Sequence, residues 1–241
     1  MPIIGVDSDV LLRILLFNRG RHVVGQRDDS IRDVLEHGLF FFGIPAAAIA
    51  GFQRDADETE RAVIQAELAL PDDPDVLLVT WGQARATASL FVNDISRARA
   101  ECNRGICYGR TARQTAPGHA WGFWALLEAV SDHMGQAALE EARAQGAMGS
   151  FNNGFLGYAD AVLHGRDGRA ERATELAEGA SQDLAAFAPW WNHLARRLVA
   201  PCALEDRWGQ PVPWLKSAAA NFKETGHHEL TAACQAMLRD A

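Results

Sequence analysis

The sequence predicts an all-α protein, a right-handed solenoid of antiparallel helix pairs. β-branched and aromatic runs with period-two alternation do not recur, so strands are not indicated. Ala, Leu, Glu, Arg and Gln fill most segments between Gly and Pro breakers, and these are good helix formers. The breaks that end second helices recur about every 35 to 42 residues, a spacing typical of stacked helical pairs.

The first 74 residues are predicted to form N-terminal helical hairpins. Asp and Asn residues placed as caps, together with apolar positions at helical spacing, indicate three helices. An apolar stretch containing Pro45 indicates a buried connection together with a short helix between the second and third of them. The helices are predicted at 7–17, 29–39 and 57–70, and the connection at 40–52.

From residue 75 the sequence repeats one plan, which continues the same solenoid to residue 241. Each unit has a helix rich in large apolar residues, a short polar turn, and an alanine-rich helix with charges on its outer side. A last helix, 227–241, caps the array. The four units are predicted at 75–91 with 93–112, 119–131 with 133–146, 150–165 with 169–184, and 188–209 with 211–226.

Small residues recur where the two helices of a pair would meet, as they do in tetratricopeptide-like repeats. Glycine inside a helix costs about 1 kcal/mol relative to alanine, so its recurrence at comparable positions indicates close helix packing. The predicted contact positions are Gly82, Ala86, Gly122, Gly154, Gly157 and Ala161.

Charge and cysteine usage limit the functional class and the compartment. The formal charge is −8, whereas a duplex binder normally carries excess positive charge to neutralise phosphates. The four cysteines form no CxxC pair, which favours reduced thiols. The N-terminus does not fit a signal peptide, and no stretch reaches the roughly 18 apolar residues of a membrane span. We therefore expect a cytoplasmic protein without membrane contact.

The last third of the chain carries a more specific pattern. It contains Pro189, Trp190 and Trp191, a Trp208–Gly209 turn, the PVPWL sequence from Pro211, and a final helix including 230–238. Over about fifty residues this passage resembles the helical-repeat region that precedes the helix-turn-helix domain of large LuxR-family transcription regulators of actinobacterial type.

The resemblance implies a signal-sensing or protein-interaction module of such a regulator. No GxxxxGK[ST] motif occurs, so a P-loop ATPase site is excluded, and DNA contact would belong to a domain outside this chain. The implied partner is a protein or peptide, or a small-molecule effector, and a homodimer is compatible with this function. The alternative is a stand-alone tetratricopeptide-type adaptor.

No residue pattern predicts catalysis, a metal site or a cofactor. His227 and His228 are interpreted as solvated cap residues, and Cys102 and Cys107 as two buried small side chains. Asp132 with His133 fits a turn and cap better than a catalytic dyad. An α/α-toroid enzyme would need a carboxylate pair, for which Glu128 and Asp160 are the candidates.

A binding groove is the remaining candidate site. Trp190 and Trp191 are interpreted as structural plugs in preference to a ligand wall. Polar residues on the first helices of the pairs are expected to line the concave side, as in tetratricopeptide arrays. These groove candidates are Arg85, Asn152, Asn153, Asp160, His193 and Arg196.

Overall fold

A computed structural model describes residues 77–111, 119–131, 134–145 and 150–241. In those ranges the chain forms nine α-helices and no strand, which confirms the all-α prediction there. The hairpins predicted for residues 1–74, and the Asp132–His133 turn, lie outside the described residues. The helices are α1 (Leu77–Phe91), α2 (Ile95–Thr111), α3 (His119–Val130), α4 (Gly135–Ala144), α5 (Ser150–Arg166), α6 (Ala170–Phe187), α7 (Pro189–Glu205), α8 (Pro211–Glu224) and α9 (His228–Asp240).

Consecutive helices pack as four hairpins, α1 with α2, α3 with α4, α5 with α6, and α7 with α8, at the positions of the four predicted units. The first helices of neighbouring hairpins also contact one another, and α9 packs on α8. In addition α7 contacts α3, and α9 contacts α1. The last helices therefore return to the first hairpin of the described chain.

Three of the predicted glycines, Gly82, Gly154 and Gly157, lie where the two helices of a pair meet, whereas Gly122 meets Asn152 of the neighbouring pair. A Cβ atom built on Gly82 would lie 2.6 Å from the Cα atom of Gly105, so this α1–α2 contact leaves no room for a side chain at Gly82. On α5, a Cβ on Gly154 would lie 2.4 Å from Cγ of Leu184, and a Cβ on Gly157 would lie 2.9 Å from the Ala180 Cβ. Larger side chains at these positions would force the helices apart.

An aromatic cluster fills the space between α3, α5 and α7. The ring of Trp191 meets Phe123 and Phe155 edge-on, with centroids 5.6 and 5.9 Å apart. Trp190 packs on Trp191 and, on its other side, on Phe222 of α8. The tryptophan pair thus joins the last hairpin to the second and third, which agrees with the interpretation as structural plugs.

The Trp208–Gly209 turn fastens the last hairpin to the third. Gly209 has φ +64°, a conformation that glycine adopts without strain. Its backbone N–H donates to Oγ1 of Thr174 on α6 at 2.9 Å. The buried Trp208 ring lies against Gly165, where a Cβ would come within 2.2 Å of the indole nitrogen. The turn therefore has a packing role that its glycine and tryptophan both serve.

The return of the last helices to α1 depends on His227 and Arg197. His227 is 3% exposed and its ring stacks on Phe91 at 4.9 Å, beside Trp190 at 5.3 Å. Arg197 of α7, 4% exposed, donates from Nη2 to Oδ1 of Asn93 in the turn after α1. Burial lowers the pKa of Arg197 below its ordinary value.

Two interpretations of single residues were wrong. His227 was expected to be solvated, yet it is buried because α9 folds back onto α1, while His228 is exposed as expected. Cys107 was expected to be buried with Cys102, but it is exposed. Five residues on a helix correspond to a rotation of about 140°, so one thiol faces the core and the other faces outward. None of the four cysteines, which all lie in the described ranges, forms a disulfide in this structure.

The described helices do not include one long and apolar enough to cross a bilayer.

Candidate functional site

The six groove candidates do not lie together in one site. Arg85 forms an ion pair with Glu101 of α2, with Nε 2.7 Å from Oε2. Asp160 accepts a hydrogen bond from Nη2 of Arg143 on α4 at 2.7 Å. These two residues therefore connect a first helix to the second helix of its own or the preceding pair.

Asn152 has a structural role in a helix contact, in which the adjacent Asn153 takes no part. Asn152 is 1% exposed, and its Oδ1 accepts the backbone N–H of Gly122 at 3.1 Å. Gly122 lies in the first turn of α3, which begins at His119. Asn152 thus adds a side-chain acceptor across the α3–α5 contact, whereas Asn153 is exposed on α5.

His193 and Arg196 come together on α7 and form a candidate site with residues of α5 and α6. One turn of helix separates them, so their side chains share a face. We call this group the polar cluster, and it comprises Tyr158, Ser181, Asn192, His193 and Arg196. Ser181, His193 and Arg196 are partly exposed, so the cluster opens to solvent, while Tyr158 and Asn192 form its buried floor.

Neutral hydrogen bonds hold the floor of the polar cluster in place. The buried Tyr158 hydroxyl donates to Oδ1 of Asn192 at 2.8 Å, and Nδ2 of Asn192 donates to Oγ of Ser181 at 3.2 Å. Arg196 donates from Nη2 to the same Ser181 oxygen at 2.7 Å. Burial raises the pKa of Tyr158, with the Arg196 guanidinium acting in the opposite direction, so its hydroxyl remains a donor.

Two buried atoms of the polar cluster lack a partner among the described residues. They are Nε of Arg196 and Nδ1 of His193. Burial, and secondarily the positive charge of Arg196, lowers the pKa of His193 below its ordinary value of 6.5, so the imidazole is neutral at pH 7. A cationic donor and a neutral imidazole nitrogen on one face of α7 are therefore buried without a hydrogen-bond partner among the described residues.

A second polar network lies between α2 and α3. The Glu128 carboxylate, 1% exposed, accepts from Nε of Arg99 at 2.8 Å and from Nδ2 of Asn103 at 2.6 Å. Oδ1 of Asn103 in turn accepts the indole N–H of Trp124 at 2.7 Å. Since Arg99 compensates the charge of Glu128, this network fastens the second hairpin to the first.

Sequence analysis missed part of the polar cluster. Tyr158, Ser181 and Asn192 lie on three different helices, and no motif spacing connects them. One signal was available: Asn192 stands in a helix interior among apolar residues, a position where a short polar side chain commonly serves a specific hydrogen bond. Its partners could be identified only from the packing of α5, α6 and α7.

The described ranges contain no group of three or more His, Cys, Asp or Glu side chains placed to bind a metal ion. Comparisons with models of protein families, with curated proteins and with solved structures gave no match.

Proposed function

We propose that this chain is a signal-sensing and protein-contact module of a bacterial transcription regulator of the LuxR type, built as a tetratricopeptide-like solenoid, and that the polar cluster is its sensing site. The observation that carries the proposal concerns Nε of Arg196 and Nδ1 of His193. Both atoms are buried without a hydrogen-bond partner among the described residues, in side chains that are otherwise partly exposed. Unsatisfied buried polar atoms are uncommon in native proteins, and a bound water or ion is one recognised reason for them. A ligand that carries a charged group would satisfy them in the same way.

The position of the cluster supports a sensing role. Asn192, His193 and Arg196 belong to α7, which contacts α3, α5, α6 and α8. A ligand that binds α7 and α6 together would favour one arrangement of these helices over another. The residues that carry the LuxR-family resemblance, including Trp190, Trp191 and the Trp208–Gly209 turn, connect the same helix to its neighbours.

A non-enzymatic role is part of the proposal. Its support is that Glu128 and Asp160, the carboxylates considered for catalysis, each bind an arginine. A general acid or base must contact the proton that it transfers, and both of these carboxylates are engaged by an arginine of the fold instead.

A thermal-shift screen of peptides, nucleotides and small molecules against the whole chain tests the sensing role. We expect at least one class to raise the melting temperature, and Asn192→Ala combined with Ser181→Ala to remove that shift. Gln182→Ala, at the exposed position next to Ser181, is the matched control. The absence of any binder, together with a monomer in light scattering, would contradict the proposal.

The transcription-regulator context has its own test. A reading frame that continues past Ala241 into a helix-turn-helix domain would support it. A stand-alone tetratricopeptide-type adaptor is the competing function, and a frame without such a domain would favour it.

A further inference from the structure

The arginines of the described helices differ in how their charge is compensated. Arg85, Arg110 and Arg143 each bind a carboxylate on another helix, at 2.6 to 2.7 Å. Arg196 binds none among the described residues; its Nη2 donates to the neutral Ser181 hydroxyl and its Nε has no partner. Arginine stays protonated under all ordinary conditions, so the polar cluster carries one uncompensated positive charge.

The surroundings of Arg196 are suited to an anion. Its guanidinium is already fixed by Ser181, which is held through Asn192 to the Tyr158 hydroxyl. Such preorganisation lowers the entropy that a ligand must give up on binding. His193 adds a neutral imidazole whose Nδ1 can accept or donate, according to its protonation state.

We propose that the polar cluster binds the carboxylate group of a small organic acid or of a peptide C-terminus, with Arg196 as the principal ligand and His193 as a second donor. This inference rests on the proposed function and names the class of effector. One uncompensated charge matches a monoanion, and the planar guanidinium pairs with carboxylate oxygens in a matching geometry. A dianionic phosphate would require further cations, and Arg197 is buried toward Asn93 instead.

The site predicts that binding takes up a proton. In the free protein the His193 pKa is lowered by burial and by Arg196. A bound carboxylate would add a nearby negative charge, which favours the imidazolium form and raises that pKa. Affinity for a carboxylate should therefore increase as the pH falls from 7.5 toward 5.5, and His193 should be the residue that takes up the proton.

Isothermal titration of the whole chain with matched probes tests the inference. The probes are phenylacetate and its primary amide, the peptide Ala–Ala–Phe with a free or an amidated C-terminus, and inorganic phosphate. We expect the free acids to bind and both amides to fail. Tighter binding of phenylacetate than of the free-acid tripeptide would indicate a small organic acid as the natural ligand. The reverse order would indicate a peptide C-terminus. Titrations in buffers of different ionisation enthalpy measure the proton uptake.

Variants at the two ligands complete the test. Arg196→Gln should weaken carboxylate binding by at least about tenfold, since hydrogen bonds to charged groups are the strong ones. Arg172→Gln is the control, because that arginine is exposed and pairs with Glu175 on the same helix. His193→Gln should abolish the proton uptake. Arg196→Lys retains the positive charge but lacks the planar guanidinium, and it is the second variant if Arg196→Gln does not fold. It should bind carboxylates more weakly than wild type.

Equal affinity for acids and amides, stronger binding of phosphate than of either acid, or carboxylate binding unchanged in Arg196→Gln and Arg196→Lys would overturn the inference. The proposed function would survive if a ligand without a carboxylate bound and lost its affinity in the Ser181→Ala, Asn192→Ala variant. The proposed function would fail together with the inference if no probe and no screened compound bound at the polar cluster.

Discussion

Two regions of the described chain are joined by different chemistry. From α1 to α5, ion pairs link neighbouring helices: Arg85–Glu101, Arg99–Glu128, Arg110–Glu141 and Arg143–Asp160. From α5 to α9 the links are aromatic contacts around Trp190 and Trp191 and the neutral hydrogen bonds of the polar cluster.

This difference leaves the arginines of the two regions in different states. Four arginines before α6 have carboxylate partners on another helix, namely Arg85, Arg99, Arg110 and Arg143. Arg196 and Arg197 of α7 have none among the described residues. A charge that is compensated internally contributes to structure, and an uncompensated one at a partly open position is available to a ligand. The predictions below test how separate the two regions are.

The largest effect is expected in the aromatic region. Phe222→Ala should lower the free energy of unfolding by about 3 to 5 kcal/mol, because the ring is fully buried against Trp190 and His227 and its removal leaves a cavity. Urea unfolding followed by circular dichroism measures it. The loss should be equal at low and high salt, and a loss that salt reduces would contradict the apolar origin. His228→Ala, at an exposed position nearby, is the control.

A smaller effect is expected at the buried carboxylate of the ion-pair region. Glu128→Gln should lower the free energy of unfolding by about 1 to 3 kcal/mol. The substitution removes the charge that compensates Arg99 and disturbs the hydrogen bond from Asn103. The same urea experiment applies, with Glu175→Gln as the control because its pair with Arg172 is exposed. A cost no larger than that of the control would mean that the network does not fasten the two hairpins.

A still smaller loss of stability is expected at the exposed ion pair between α4 and α5. Arg143→Gln should lower the free energy of unfolding by about 0.2 to 1 kcal/mol, because the Arg143 side chain is 51% exposed and solvent screens its pair with Asp160. The difference from wild type should vanish in 0.5 M sodium chloride. If it persists at that salt concentration, the arginine stabilises through packing of its aliphatic part.

The smallest effect is a pH dependence in the polar cluster. The pKa of His193 is lower in the folded chain than its ordinary 6.5, so below that pH the unfolded chain binds a proton that the folded chain does not. His193 therefore destabilises the fold as the pH falls through 6.5 toward its folded pKa. Unfolding of wild type and His193→Gln between pH 7.5 and 5.5 should show a shallower decline in the variant; parallel curves would contradict the assignment.

Much of the helical architecture was predictable because it depends on local signals. The hairpin boundaries follow the Gly and Pro breakers, and the glycine positions on α1, α3 and α5 correspond to close helix contacts. Within the candidate site, His193 and Arg196 were predicted because they are polar residues on the first helix of a pair. Asn152 was identified as polar and first-helix, but the α3–α5 contact gives it a structural bond to Gly122.

The sequence by itself determined that the described chain is helical, how its helices pair and where small residues must lie, because these depend on propensity and on contacts between neighbours along the chain. Tertiary structure alone decided that His227 is buried against Phe91, that Ser181 and Tyr158 join Arg196, and that Arg196 meets no carboxylate of the described residues. These outcomes depend on which helices meet at long range, and helix periodicity carries no information about that choice of partner.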